Sequence, residues 1–158
     1  MVRVGVIGGG SWGTALAILL RNNGHDVSMW LRDERQIESI RKTGENKKYL
    51  PDIKIPKDIV ISNDMEEVTH DRELFVLAVP SHGVRQVLKE HRNLFKKDQV
   101  LVNVAKGIEN DTLMRISQIA GEILPENPYA VLSGPSHAEE VALNMPTTVV
   151  AASKDMNI

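Results

Sequence analysis

Val2-Arg3-Val4-Gly5-Val6-Ile7-Gly8-Gly9-Gly10-Ser11-Trp12-Gly13 is the stretch from which the rest of the chain is read. Val2–Ile7 is a near-continuous apolar, β-branched run, the pattern of a strand buried on both faces. From Trp12 onward, Trp12, Ala15, Leu16, Leu19 and Leu20 recur at the i, i+3, i+4, i+7, i+8 spacing of one helix face. Between strand and helix, Gly8, Gly10 and Gly13 fit G-x-G-x-x-G. In that setting Gly8 permits a tight turn, Gly10 lets the backbone approach a pyrophosphate, and Gly13 lets the helix pack close to the strand. The helix start adds unpaired N–H groups and a positive dipole end, which suit a phosphate anion.

The same residues fit two other templates. Gly9-Gly10-Ser11-Trp12-Gly13 is a literal G-x-S-x-G, which would make Ser11 the nucleophile of a hydrolase. That elbow needs upstream strands and an oxyanion-hole loop, and only seven residues precede Gly8. Gly8 and Gly13 also have P-loop spacing, but Thr14 stands where a lysine must reach the β- and γ-phosphates. A turn with no ligand would carry three successive glycines at a cost of about 0.5–1 kcal/mol each. The dinucleotide reading is the one that gives Gly8, Gly10 and Gly13 each a role.

Strand and helix patterns alternate along the remainder. Asn22-Asn23-Gly24 stops the first helix, Val27–Leu31 reads as a second strand, and Glu34–Arg41 as a short charged helix. Thr43–Pro56 reads as a loop punctuated by Gly44, Pro51 and Pro56. Ile59–Ser62, Leu74–Val79, Val100–Val104, Tyr129–Leu132 and Thr147–Ala151 read as further strands. Ser81 stands at the N-cap of a helix carrying Val84, Val87 and Leu88, and Asp111 at that of one carrying Leu113, Ile116, Ile119 and Ile123. Ser136 opens a short helix through Leu143, and Ser153-Lys154-Asp155 reads as another helix start just before Ile158. The expected fold is α/β: a doubly wound, mostly parallel Rossmann-type sheet with helices on both faces. Residues 1–158 form one such domain, with no internal repeat or linker.

Composition narrows the function classes. Lys and Arg total 19 against 21 Asp and Glu, a net charge of −2, which supplies no clustered basic excess for nucleic acid or a membrane surface. Zero cysteines exclude disulfides, thiolate nucleophiles and Cys-ligated metal, and no metal site is expected. No 18-residue apolar span and no secretory leader is present, so a cytoplasmic protein without membrane insertion is expected. At the end of the second strand, Arg32 offers a planar fork to a 2′-phosphate, while Asp33 keeps a free ribose 2′-hydroxyl in play, so the cofactor is NADP or NAD.

Further stretches carry a specific resemblance. Gly8–Ala17, Asn46-Lys47-Lys48-Tyr49-Leu50-Pro51, Ala78-Val79-Pro80-Ser81, Ala105-Lys106-Gly107-Ile108-Glu109 and Leu132–Ala142 (with Ser133-Gly134-Pro135-Ser136) occur in order along the chain. Together they resemble the dinucleotide-binding half of bacterial-type NAD(P)-dependent glycerol-3-phosphate dehydrogenases. The resemblance implies reversible reduction of dihydroxyacetone phosphate, a phosphorylated triose, to sn-glycerol 3-phosphate, a precursor of glycerophospholipids. It implies cofactor contacts from Ser11, Trp12, Arg32, Lys106 and Ala138, and substrate contacts from Lys106, Gly134 and Ser136. It also implies a second, helical domain bearing the acid–base lysine and any homodimer contact. No catalytic residue is therefore expected before Ile158, and this chain alone is expected to bind cofactor without turnover. His82 and His137 read as surface or helix-start residues. The alternatives are a related dehydrogenase of another small hydroxy acid, and a non-catalytic NAD(P)-sensing module.

Overall fold

A computed structural model describes residues 1–158. The chain runs β1 (Arg3–Ile7), α1 (Ser11–Asn22), β2 (Asp26–Trp30), α2 (Glu34–Thr43), β3 (Glu45–Asn46), β4 (Leu50–Lys54), β5 (Val60–Ser62) and α3 (Met65–Thr69). It continues through β6 (Leu74–Leu77), α4 (Ser81–His91), β7 (Val100–Asn103), α5 (Ile116–Ile123), β8 (Tyr129–Ser133), α6 (Ala138–Ala142) and β9 (Val150–Ser153). Seven strands form one sheet in the order β5-β2-β1-β6-β7-β8-β9. All neighbouring pairs are parallel except β8–β9, which is antiparallel.

Strand alternation builds two cores. Val4, Val6, Val27 and Met29 face one side, where they pack with Ala15, Ile18 and Ile37 from α1 and α2. Ile7, Trp30, Phe75 and Leu77 face the other, with Val84, Leu88, Ile116 and Ile119 from α4 and α5. On that side Phe75 meets Phe95 edge-to-face at 5.0 Å. Because both faces are covered, the central strands read as continuous apolar runs rather than alternating ones.

From β1 the chain winds outward through β2 to β5, then crosses back to place β6 on the other side of β1. The connections leaving the carboxyl ends of β1 and β6 therefore run to opposite faces of the sheet, which opens a crevice there. At that point Gly8 takes φ 121°, and a Cβ on it would lie 2.8 Å from the Ala78 carbonyl carbon.

Several local expectations need correction. The segment read as a loop over 43–56 contains an antiparallel hairpin, β3–β4, whose Asp52 adopts φ 62° beside Pro51. A five-residue helix, α3, is N-capped by the Asp64 carboxylate, which accepts from the Glu66 N–H at 2.9 Å. Ser81 is the first helical residue of α4 rather than its cap, a position taken by Pro80. Asp111 caps nothing, because Leu113 turns to φ 57° and α5 begins only at Ile116. Leu113 is consequently exposed instead of facing the core. Ser136 precedes α6, whose cap position is His137. The last strand lies at Val150–Ser153, three residues beyond the start expected at Thr147. The Ser153 hydroxyl bridges the Tyr129 carbonyl and the Asp155 N–H, and residues 154–158 form turns, not a helix.

Candidate functional site

The crevice is a cleft of about 1290 Å³ over the carboxyl ends of β1, β2, β6 and β7. Its floor is the glycine turn. A Cβ on Gly13 would sit 2.0 Å from the Gly8 carbonyl oxygen, so α1 approaches β1 only because that side chain is absent. Around Gly10, by contrast, nothing lies within 4 Å of the Cβ position, so the backbone is open to a ligand. The first intrahelical bond is Thr14 N–H to the Gly10 carbonyl at 3.0 Å. The N–H groups of Ser11, Trp12 and Gly13 therefore have no partner within α1. They form the donor end of a 12-residue helix at the floor of the cleft.

The turn is held from behind by a hydrogen-bond network. The Gly9 carbonyl accepts from Asn46 Nδ2 at 2.9 Å and from Gln36 Nε2 at 2.7 Å. Asn46 is buried; its Nδ2 also donates to Thr14 Oγ1 at 2.8 Å, and its Oδ1 accepts from Gln36 at 3.1 Å. Every peptide bond is trans, so the Gly10 N–H points opposite to the Gly9 carbonyl. Fixing the carbonyl on Asn46 and Gln36 thus aims that N–H away from them.

One wall carries the end of β2. Arg32 is exposed and lines the cleft, and its side chain has no partner in the chain. Asp33 Oδ1 caps α2 by accepting the Arg35 N–H at 3.0 Å, and Lys48 Nζ stands 3.8 Å from Oδ2. Trp30 is nearly buried, and its indole N–H donates to the Asn63 carbonyl at 3.0 Å.

The opposite wall brings together residues far apart in sequence. Lys106, after β7, donates from Nζ to the Ser136 carbonyl at 3.3 Å. Ala138, His82 and His137 also line the cleft. The loop that presents Lys106 is tied down by Glu109, which accepts from Arg85 Nε at 2.7 Å and from the Thr112 hydroxyl. Arg85 also pairs with Glu122 at 2.8 Å. The Arg85 guanidinium, and then the Thr112 hydroxyl, hold the Glu109 carboxyl below the usual carboxylate range.

Gly8, Gly10, Ser11, Trp12, Arg32, Lys106, Ser136 and Ala138 all line the one cleft. Gly13 lies just beneath it, and Gly134 stands outside the lining, against the Thr148 carbonyl. The spacing of residues singled out neither Gln36 nor the Arg85–Glu109 pair. Asn46 and Glu109 do fall inside two of the quoted stretches, which was the only signal for them. No group of three or more His, Cys, Asp or Glu side chains is placed to hold a metal.

The strand order, the crossover at β1/β6 and the glycine turn define a Rossmann-type dinucleotide-binding domain. Residues 3–158 match the family described as NAD-dependent glycerol-3-phosphate dehydrogenase N-terminus, and the chain belongs to that family. It is 45% identical over 160 residues to a glycerol-3-phosphate dehydrogenase [NAD(P)+] from Fusobacterium nucleatum, covering all of this chain and 48% of that protein. It is 48% identical over 152 residues to the like-named protein of a Thermoanaerobacter species, covering 96% and 46%. The crystal structure of glycerol-3-phosphate dehydrogenase from Coxiella burnetii superposes with a TM-score of 0.92 at 29% identity, over 99% of this chain and 48% of that one. The chain thus spans about half the length of the curated relatives it matches.

Proposed function

We propose that this chain is the cofactor-binding half of an NAD(P)-dependent glycerol-3-phosphate dehydrogenase, serving the reversible reduction of dihydroxyacetone phosphate to sn-glycerol 3-phosphate. The observation that carries the reading is the cleft, where the glycine turn and Lys106 face one space at the topological switch point, in a chain of this family. Its residues fit a dinucleotide: the floor supplies N–H donors and open backbone at Gly10 for a pyrophosphate. When bound, NAD(P)H supplies the hydride.

The chain's own residues bind and orient. Gly8, Gly10, Ser11, Trp12 and Gly13 cradle the phosphates, with Arg32 at the ribose end and Ala138 against the cofactor. Lys106 is a compact cation where cofactor and substrate meet, suited to a phosphate or a polarised carbonyl oxygen. Ser136, whose carbonyl holds the Lys106 ammonium, and Gly134 behind it form the substrate side. The proton donor is a lysine in the part of the relatives' length that this chain does not span. That part also carries any homodimer contact. The assembled enzyme works in the cytoplasm, feeding glycerophospholipid synthesis. No helix of the chain is long and apolar enough to cross a membrane.

Fluorescence titration tests the reading, since Trp12 and Trp30 both line the cleft. Saturable quenching by NADH or NADPH is expected, with no turnover of dihydroxyacetone phosphate by this chain alone. Absence of quenching by both cofactors overturns it.

A further inference from the structure

Arg85 stands on α4, and each nitrogen of its guanidinium has a partner. Nε donates to Glu109 Oε1 at 2.7 Å, Nη1 to Glu122 Oε2 at 2.8 Å, and Nη2 to the Met114 sulfur at 3.2 Å. The Arg85 side chain is 18% exposed and that of Glu109 only 9%, yet neither residue lines the cleft. Stability alone does not call for such a pair, because two desolvated charges can often give way to apolar side chains without loss. What a rigid guanidinium fork supplies is fixed geometry.

The segment it fixes is the one that follows Lys106. Residues 108–115 close on themselves. The Glu109 N–H donates to the Met114 carbonyl at 2.9 Å, the Leu113 N–H donates to the Glu109 carbonyl at 3.0 Å, and Ile108 bridges to Arg115. Two points seat this loop on α4. Gly107, at φ 100°, comes so near that a Cβ on it would lie 3.2 Å from Ser81 Oγ. One helical turn further along α4, Arg85 holds Glu109. Lys106 immediately precedes the first point, and its ammonium donates to the Ser136 carbonyl at 3.3 Å. The same helix presents His82 and Gly83 to the cleft. The spacing between that wall and Lys106 is thus set through Arg85.

We propose that Arg85 is a positioning residue for the reduction of dihydroxyacetone phosphate. It touches neither cofactor nor substrate, and acts through Glu109 to hold Lys106 at the place where the two meet. The proposal rests on the function proposed above. Its test is steady-state reduction of dihydroxyacetone phosphate by the assembled enzyme, with the cofactor dissociation constant read from tryptophan quenching. The wild type is compared with Arg85→Met, Glu109→Gln, the double variant and Glu122→Gln, each well below its own melting temperature.

Arg85→Met should lower kcat/KM by about 10²-fold, the cost of a misplacement of about 1 Å at a reacting centre. Cofactor affinity, which rests on the glycine turn, should stay at the wild-type value. Glu109→Gln should lower kcat/KM about tenfold, since a neutral amide keeps the shape but loses the charge-assisted bond. That variant carries the test by itself if Arg85→Met does not fold. The double variant should lose no more than Arg85→Met alone, because the pair acts as one unit. Glu122→Gln loosens α5 without touching the loop, so it should lower the melting temperature and leave kcat/KM unchanged. Wild-type kcat/KM in folded Arg85→Met or Glu109→Gln would overturn the proposal. So would equal losses in kcat/KM and cofactor affinity, losses that multiply in the double variant, or a Glu122→Gln loss as large as that of Arg85→Met. A wild type that does not reduce dihydroxyacetone phosphate would instead overturn the function proposed above, and this proposal with it.

Discussion

Asn46 spends its whole amide on three partners: the Gly9 carbonyl, the Thr14 hydroxyl and the Gln36 amide. None of these bonds touches a ligand, yet together they set the Gly9–Gly10 peptide. Asn46→Ala leaves buried polar groups without partners and should cost about 1–3 kcal/mol, read from a urea midpoint. Asn46→Asp should be worse for binding than for folding, because a carboxylate oxygen then faces the Gly9 carbonyl and adds negative charge near the phosphate site. If Asn46→Asp binds both cofactors with wild-type affinity, the positioning role is wrong. Gly13→Ala drives a methyl into the Gly8 carbonyl and should destabilise by about 1–3 kcal/mol. Its melting temperature should fall by about 2–4 °C per kcal/mol lost, and quenching should vanish with it. The glycines were legible because their spacing is local. Asn46 acts across 37 positions to Gly9, and no spacing rule reports that.

Among the elements, those with a full helical or strand period could be read directly, as β1, α1, β6 and α4 were. The shorter or capped ones could not. Met65 and Val68 are the only apolar anchors of the five-residue α3, too few to show a period. The β3–β4 hairpin hides its alternation behind Pro51 and the left-handed Asp52. Between β7 and α5, the Asp111 start signal loses to a stronger set of bonds. Glu109 pairs with Arg85 and Thr112, Ile108 bridges to Arg115, and the chain stays a loop until Ile116. That loop carries Lys106, so its anchor has a consequence for pH. The Glu109 pKa is depressed on folding, so its contribution is complete above the ordinary carboxylate value of about 4.3 and is lost as pH falls below it. The wild type should therefore melt higher than Glu109→Gln at pH 7, with the gap closing as pH drops below about 4. A gap independent of pH would show that the charged pair does not anchor the loop.

Across the whole molecule, two apolar cores clamp one sheet, and seven connecting segments meet around a single cleft at the β1/β6 crossover. The strand–helix alternation and the doubly wound architecture could be read from apolar runs buried on both faces. The antiparallel turn of β9 could not, since an edge strand exposed over most of its length carries little pattern. The cleft draws on the ends of β1, β2, β6 and β7 and on the approach to α6, segments spread from Gly8 to Glu139 that only the fold unites. The central claim is that a dinucleotide lies across those strand ends. Amide chemical-shift mapping of the 158-residue chain with added NADPH tests it most directly. The account predicts that the perturbed amides concentrate at Gly9–Trp12, Leu31–Asp33, Ala78–Val79 and Ala105–Lys106, with the β5 edge and β9 quiet. Saturating cofactor that leaves the Gly10 and Ser11 amides unmoved, or that shifts the β9 edge instead, would contradict it.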